Sequence, residues 1–210
     1  VLSLLLALAS GIMLSVIFMD LIPSSLIFGS PAQCLTGLLG GFLVVKIMDA
    51  FINHGIRHED NLHSFYLKMG YLIALGIALH DLPEGLAVAA GFSSPGSLGA
   101  MIALAIGLHN IPEGMATAAP LKAGGASTSS ILGINAAVSI VTPLGTLLGL
   151  FILAVTPSLI SVLLAFAAGA MSYIVKSKLI PESYRFGKKL ALQGIIVGFL
   201  LMSVISLLFQ

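Results

Sequence analysis

The sequence predicts an all-α membrane protein: a helical bundle of about seven transmembrane helices with inverted-repeat pseudo-symmetry, in a single domain over residues 1–210. Three observations carry that prediction. First, 58% of the residues are hydrophobic, only 8% are charged and the mean hydropathy is +1.13. A soluble domain has about a quarter of its residues charged, so this chain cannot cover a water-facing surface. Second, the apolar runs are continuous over roughly 20 residues, which suits helices crossing a bilayer rather than alternating strands of about 10. Third, segments of the chain recur at fixed offsets. The formal net charge of +1 argues against nucleic acid as a partner. A single cysteine, Cys34, rules out an intrachain disulfide. The first apolar run lacks a basic flank, so no cleavable signal is expected, and the start at Val1 suggests a fragment.

Taken in order, the expected spans are 1–28, 35–52, 69–91, 98–120, 131–155, 159–180 and 190–209. Connections at 29–34, 92–97 and 156–158 contain no Lys or Arg. Those at 53–68, 121–130 and 181–189 contain Arg57, Lys68, Lys122, Arg185, Lys188 and Lys189. Basic residues favour the cytoplasmic side, so residue 1 is expected inside and the C-terminus outside, in a cell-membrane protein. Ser24, Ser25, Ser93, Ser94 and the run Ser127 to Ser130 read as loop chemistry.

One internal echo joins the ends of the chain. Ala9-Ser10-Gly11-Ile12-Met13 and Asp20-Leu21-Ile22-Pro23-Ser24-Ser25 align without gaps on Ala167-Ala168-Gly169-Ala170-Met171 and Lys178-Leu179-Ile180-Pro181-Glu182-Ser183, 158 residues later. The two copies run in opposite directions in the expected topology. Inverted repeats mark secondary transporters, whose substrate sites lie near the midplane between the repeats. The 23 glycines allow close helix approach in lipid.

A second echo supplies the chemistry. His80-Asp81-Leu82-Pro83-Glu84-Gly85 recurs as His109-Asn110-Ile111-Pro112-Glu113-Gly114, offset by 29 residues, and both copies lie mid-span. Residues four apart share a helix face, so His80 projects with Glu84 and His109 with Glu113. An acidic group at the centre of a membrane helix costs about 2.5–3.5 kcal/mol. Asp81, Glu84 and Glu113 must therefore face the bundle interior, where they repel one another unless protonated or bound to a cation. Pro83 and Pro112 lack an N–H and free the carbonyls of Leu79 and Leu108, with a kink expected at each. Imidazole plus carboxylate suits a divalent transition metal: Zn2+ most readily, with Fe, Mn, Co, Ni or Cd as alternatives. Mg2+ and Ca2+ prefer all-oxygen shells. The bland alternative is a hydrogen-bonded network that only locks two helices together; two copies of the motif on neighbouring antiparallel spans favour the metal.

These residues resemble the ZIP family of divalent metal transporters, whose fourth and fifth spans carry paired His-(Asn/Asp)-X-Pro-Glu-Gly motifs. The resemblance covers essentially the whole chain. It implies an eight-span fold with both termini outside, so that one N-terminal span is missing from this sequence. It implies movement of Zn2+ or related divalent metals (Fe2+, Mn2+, Cd2+, Co2+) toward the cytoplasm. The metal would be cargo, with no separate cofactor. His80, Glu84, His109 and Glu113 correspond to the transport-site ligands. Asp81, Glu84, Asn110 and Glu113 correspond to a neighbouring second site, and Met13 to a sulfur ligand that some members add. The partners implied are the divalent metal ion, the lipid bilayer and, in some arrangements, a second copy as a homodimer.

Two departures stand out. Bacterial members often have a glutamate where this chain has Thr142, so a mainly single-metal site is expected. They often have an acid where this chain has Lys178, a cation that would repel a departing metal ion and leave the exit to Glu182; Asp20, its repeat mate, keeps the acid. The stretch from Asn53 to Lys68 holds His54, His58, Glu59, Asp60 and His63, resembling the family's weakly metal-binding cytoplasmic loop, or a plain solvated connector. Rival functions are a membrane-embedded metallohydrolase and a non-transporting metal-binding scaffold. The chain lacks His-Glu-X-X-His, and four protein ligands leave no open position for a hydrolytic water.

Overall fold

A computed structural model describes residues 2–55, 61–92, 98–151, 157–185 and 187–209. Among the described residues every long element is helical. The described residues form seven rods: Leu2–Phe28, Pro31–Gly55, Leu62–Phe92, Leu98–Ala123, Thr128–Phe151, Ser158–Tyr184 and Lys188–Phe209. We call these the first to seventh helices. Six of them, all but the fourth, are identified as long and apolar enough to cross a membrane. The chain is a multi-pass membrane protein of all-α class.

Burial sorts the helices into two shells. The most apolar windows of the first, third and sixth helices are 61%, 67% and 61% buried, against 22%, 17% and 28% for the second, fifth and seventh. The second group turns Leu39, Leu43, Ile47, Leu144, Leu148, Leu200 and Val204 outward, where lipid solvates them. The inner helices interlock through Leu6, Met13, Ile17, Leu72, Ile73, Met171 and Ile174, nearly all fully buried.

Because lipid gives apolar helices little reason to associate, close packing at small residues has to hold the shells together. The seventh helix lies on the first at Gly194 and Gly198, and Gly11 returns the contact. A methyl group added at Gly11 would meet the Phe199 nitrogen at 2.7 Å, and one at Gly198 the Ile12 nitrogen at 3.2 Å. The second helix lies on the sixth through Gly37, Gly41 and Gly169 in the same way. A methyl on Gly169 would meet the Phe42 nitrogen at 2.9 Å, and one on Gly41 the Ala170 nitrogen at 2.9 Å. Shifted by 157 or 158 residues, each contact of one pair becomes a contact of the other.

Two further features repeat with it. The first helix widens into a π-helical turn at Val16–Leu21 and the sixth at Val175–Leu179, with Ile22 N–H reaching the Ile17 carbonyl and Ile180 N–H the Val175 carbonyl. Pro23 and Pro181 follow directly. Ser25 Oγ donates to the Ser161 carbonyl at 2.9 Å near one end, and Ser3 Oγ to the Ser183 carbonyl at 2.6 Å near the other. The beginning of the first helix therefore lies beside the end of the sixth, and its end beside the beginning. The repeat is inverted.

The structure corrects two expectations. Ser25 is a fully buried interhelical donor rather than loop chemistry, although Ser127 does cap the fifth helix by accepting from the Ser130 N–H at 3.2 Å. Ser93 and Ser94 lie outside the described residues. The polar connector is also shorter than expected: the second helix runs to Gly55 and the third begins at Leu62. His63 and Lys68 are therefore helical, whereas His58, Glu59 and Asp60, and the side chain of His54, lie outside the described residues. Polar side chains lower the hydropathy of Leu62–Lys68, yet Tyr66 anchors those turns by burial, at 5% exposure.

The third helix meets the fifth at Gly85 and Gly145, where a methyl on Gly85 would lie 2.7 Å from the Thr146 nitrogen. The matching Gly114 of the second motif is open: a methyl there would find only Asn135 Nδ2, at 3.9 Å. Gly85→Ala is expected to lower the detergent-solubilised melting temperature, and Gly114→Ala to leave it within error. By the repeat, Gly41→Val and Gly198→Val should destabilise by similar amounts. Thermal unfolding of the four variants checks all of this.

Candidate metal centre

The third helix carries His80, Asp81 and Glu84 into the middle of the bundle, with 0%, 1% and 2% exposure. Ligand atoms of the three lie within 4.8 Å of one another. One turn of helix brings His80 and Glu84 together, as their spacing requires. Asp81, one residue on, joins them because its Oδ1 reaches back to within 3.4 Å of His80 Nε2. The fourth helix adds Glu113, 2% exposed, with Oε1 3.1 Å from the same nitrogen. Three carboxyl groups thus surround one imidazole edge with almost no access to water.

The imidazole is aimed by the backbone behind it. His80 Nδ1 lies 3.1 Å from the Gly76 carbonyl, which can only accept, so Nδ1 carries the proton. Nε2 is thereby turned to the acids. Metal-binding histidines are commonly oriented in this way by a hydrogen bond at the other ring nitrogen. In the absence of a metal, the Nε2 contact to Glu113 requires a shared proton; a cation would take the place of that proton and draw in the acids. Buried carboxylates that converge without compensation are costly, so the arrangement favours a bound positive ion. Imidazole nitrogen with carboxylate oxygen is a donor set suited to Zn2+ and its first-row neighbours.

The supporting groups come from the fourth and fifth helices. Asn110, with its amide nitrogen turned to acceptors, donates to Glu113 Oε2 and to the Ile106 carbonyl, each at 3.3 Å. Thr117 Oγ1 donates to the Glu113 carbonyl at 3.3 Å, and Asn135 of the fifth helix donates to the Gly114 carbonyl at 3.3 Å. Beside them lies a cavity of about 550 Å³, lined by Val88, Ile106, Asn110, Thr142, Thr146 and Leu147 among others. Thr142 is 8% exposed, and its Oγ1 finds no hydrogen-bond partner among the described residues.

The structure therefore brings His80, Asp81, Glu84, Glu113 and Asn110 together. His109 sits one helical turn before Glu113 on the fourth helix, and its side chain lies outside the described residues. Met13 is 1% exposed within the apolar core. Sequence reasoning paired residues by helical spacing, so it missed the Gly76 carbonyl and Thr117, which act through backbone contacts that no motif announces.

Lys178, expected to repel a departing metal ion, is engaged by an acid. Its Nζ is 2.8 Å from Asp49 Oδ1 of the second helix, a residue that attracted no notice as a single acid in an apolar run. Glu182 is likewise engaged, by Tyr66 Oη at 2.6 Å and the Arg185 guanidinium at 3.2 Å. Asp20, half-buried on the first helix, accepts a hydrogen bond from Ser206.

Residues 55–206 match the family model described as ZIP zinc transporter. The zinc transporter GufA of Myxococcus xanthus is 35% identical, over 81% of this chain and 69% of its own length. The zinc transporter ZupT of Corynebacterium glutamicum is 32% identical over 95% of this chain and 84% of its own length. ZupT of Akkermansia muciniphila is 34% identical over 81% and 70%. With a family match over most of its residues and relatives that align along most of their own length, the chain belongs to the ZIP zinc transporter family.

Proposed function

We propose that this protein carries Zn2+, or a related divalent transition metal such as Fe2+, Mn2+, Cd2+ or Co2+, across the membrane toward the cytoplasm. The observation that carries the reading is the buried constellation of His80, Asp81, Glu84 and Glu113 in the middle of the bundle. Names of relatives as zinc transporters support the choice of cargo. The metal is the transported substrate and passes through this centre rather than residing there.

Each residue has a distinct part. His80 supplies an oriented nitrogen, Glu113 and Glu84 supply charge from two helices, and Asp81 closes the near side. His109 is proposed as a further ligand from the fourth helix, on its spacing from Glu113. Asn110 holds Glu113 and, with Asp81, Glu84 and Glu113, would form part of a neighbouring subsite. Thr142 offers that subsite only a neutral oxygen, which favours a mainly single-metal centre. Met13 is proposed as a softer ligand from the first helix. Mixed nitrogen and oxygen donors discriminate against Mg2+ and Ca2+.

The direction follows from charge. Lys122, Arg185, Lys188 and Lys189 cluster at one set of connections, which the positive-inside tendency assigns to the cytoplasm. The ion would arrive past Asp20, shed water among the central ligands, and leave past Glu182. Two helix pairs related by an inverted repeat provide the rigid parts against which the motif helices move.

His80→Ala and Glu113→Ala should each abolish Zn2+ uptake into proteoliposomes while leaving the protein inserted. Unchanged uptake by either variant would refute the site. Asn110→Ala should weaken uptake by roughly 10-fold, the scale on which groups orienting metal ligands act. A Mg2+ or Ca2+ excess should leave Zn2+ uptake intact, as read by competition.

A further inference from the structure

At the end of the bundle where the third helix begins and the sixth ends, two buried carboxylates are held in the same manner. Glu182, 4% exposed, accepts from Tyr66 Oη at 2.6 Å and pairs with Arg185 at 3.2 Å. Asp49, 8% exposed, accepts from Tyr173 Oη at 2.6 Å and from Lys178 Nζ at 2.8 Å. Each tyrosine ring is also fixed by a neighbouring phenylalanine. Phe65 meets Tyr66 edge-on with its face 5.7 Å from the Arg185 guanidinium, and Phe42 meets Tyr173 edge-on with its face 5.9 Å from Lys176. Phe65, Asp49 and Lys178 border one cavity of about 30 Å³, room for about one water molecule. The two clusters are therefore neighbours.

Both clusters join different helices. The first ties the third helix to the end of the sixth; the second ties the second helix to the sixth. Both acids are buried, so parting either one from its tyrosine leaves a carboxyl oxygen short of a hydrogen bond where water scarcely reaches, and parting the second helix from the sixth also separates Asp49 from Lys178. The inverted repeat places Lys178 where the first copy has Asp20, and Asp49 where it has Ser206. That first-copy pair is also in hydrogen-bond contact. One position in the fold thus supplies a latch at each end, and in the second copy the latch has become an ion pair.

We propose that the Tyr66–Glu182–Arg185 and Tyr173–Asp49–Lys178 clusters form a lock that keeps this end of the bundle shut. Arg185 and Lys178 act as tethered cations on the two acids that a departing divalent ion would otherwise meet. The ion leaves only after the sixth helix parts from the second and third. This rests on the transporter reading for what passes through, but the lock itself is tested without transport.

The reporter is Ile73→Cys in a Cys34→Ser background. Ile73 is fully buried and lies seven residues from both Tyr66 and His80, hence on the same helix face, between the lock and the metal centre. The purified full-length chain in lipid nanodiscs is treated with a charged methanethiosulfonate reagent, and Zn2+ binding is followed by calorimetry as the control for folding. Adding Lys178→Met and Arg185→Met together should speed modification of this cysteine at least 10-fold, with Zn2+ binding retained. An unchanged rate with Zn2+ binding retained overturns the lock. Should the double variant lose Zn2+ binding, Tyr66→Phe and Asp49→Asn decide. A faster rate in each supports the lock, and an unchanged rate in both overturns it. Failure of the transporter reading is distinguishable, because it leaves these rates intact and appears as absent Zn2+ flux through the unsubstituted chain.

Discussion

Three carboxyl groups and one imidazole share a space that water scarcely reaches, and the helices around them are arranged to make that tolerable. Lipid cannot solvate the acids, so they must point inward, and inward they meet one another. Compensation comes from the protonated or metal-bearing edge of His80, from the Asn110 amide on Glu113, and from the Gly76 carbonyl that aims the ring. Two of these contacts are made within one helix, but the one between His80 and Glu113 exists only because the third and fourth helices lie close. The fifth helix also presses close to the third, at Gly85 and Gly145.

Around this centre the first and sixth helices, each with its glycine-bearing companion, form two equivalent walls. The equivalence extends to individual atoms: Gly11 against the Phe199 nitrogen on one wall, Gly169 against the Phe42 nitrogen on the other. Glycine at these crossings is dictated by backbone proximity rather than by conformational freedom. Chemistry breaks the equivalence at the ends, where Lys178 and Asp49 occupy positions corresponding to Asp20 and Ser206.

Fold class was legible because hydropathy and charge are bulk properties that need no contact information. The inverted repeat was legible from Gly11, Met13, Pro23 and their mates, since the same packing constraint acts on both copies. The core of the site was legible because helical periodicity converts a spacing of four into a shared face. What escaped notice depends on pairings between distant helices. Asp49 looks unremarkable until Tyr173 and Lys178 are seen beside it. Ser25 carries no motif, and its role appears only with Ser161 across the bundle. Lys178, read as a cation that repels a departing ion, gains a second meaning beside Asp49. The first turns of the third helix were hidden for a related reason: their polar residues read as connector, whereas Tyr66 is held by a carboxylate 116 positions away in sequence.

The π-helical turns at Val16–Leu21 and Val175–Leu179 each act as a screw dislocation, one surplus residue threaded into an otherwise regular spiral. Each residue of an α-helix advances the azimuth by about 100°. A wide turn takes up its surplus residue locally, so the α-helical stretches on either side keep nearly the phase they would have without it. The same residue inserted with no wide turn would swing everything beyond it by roughly that angle, and Ser25 or Ser183 would face away from its partner helix. The wide turn is therefore the shim that fits one more residue into each rod while both of its ends keep their bearings.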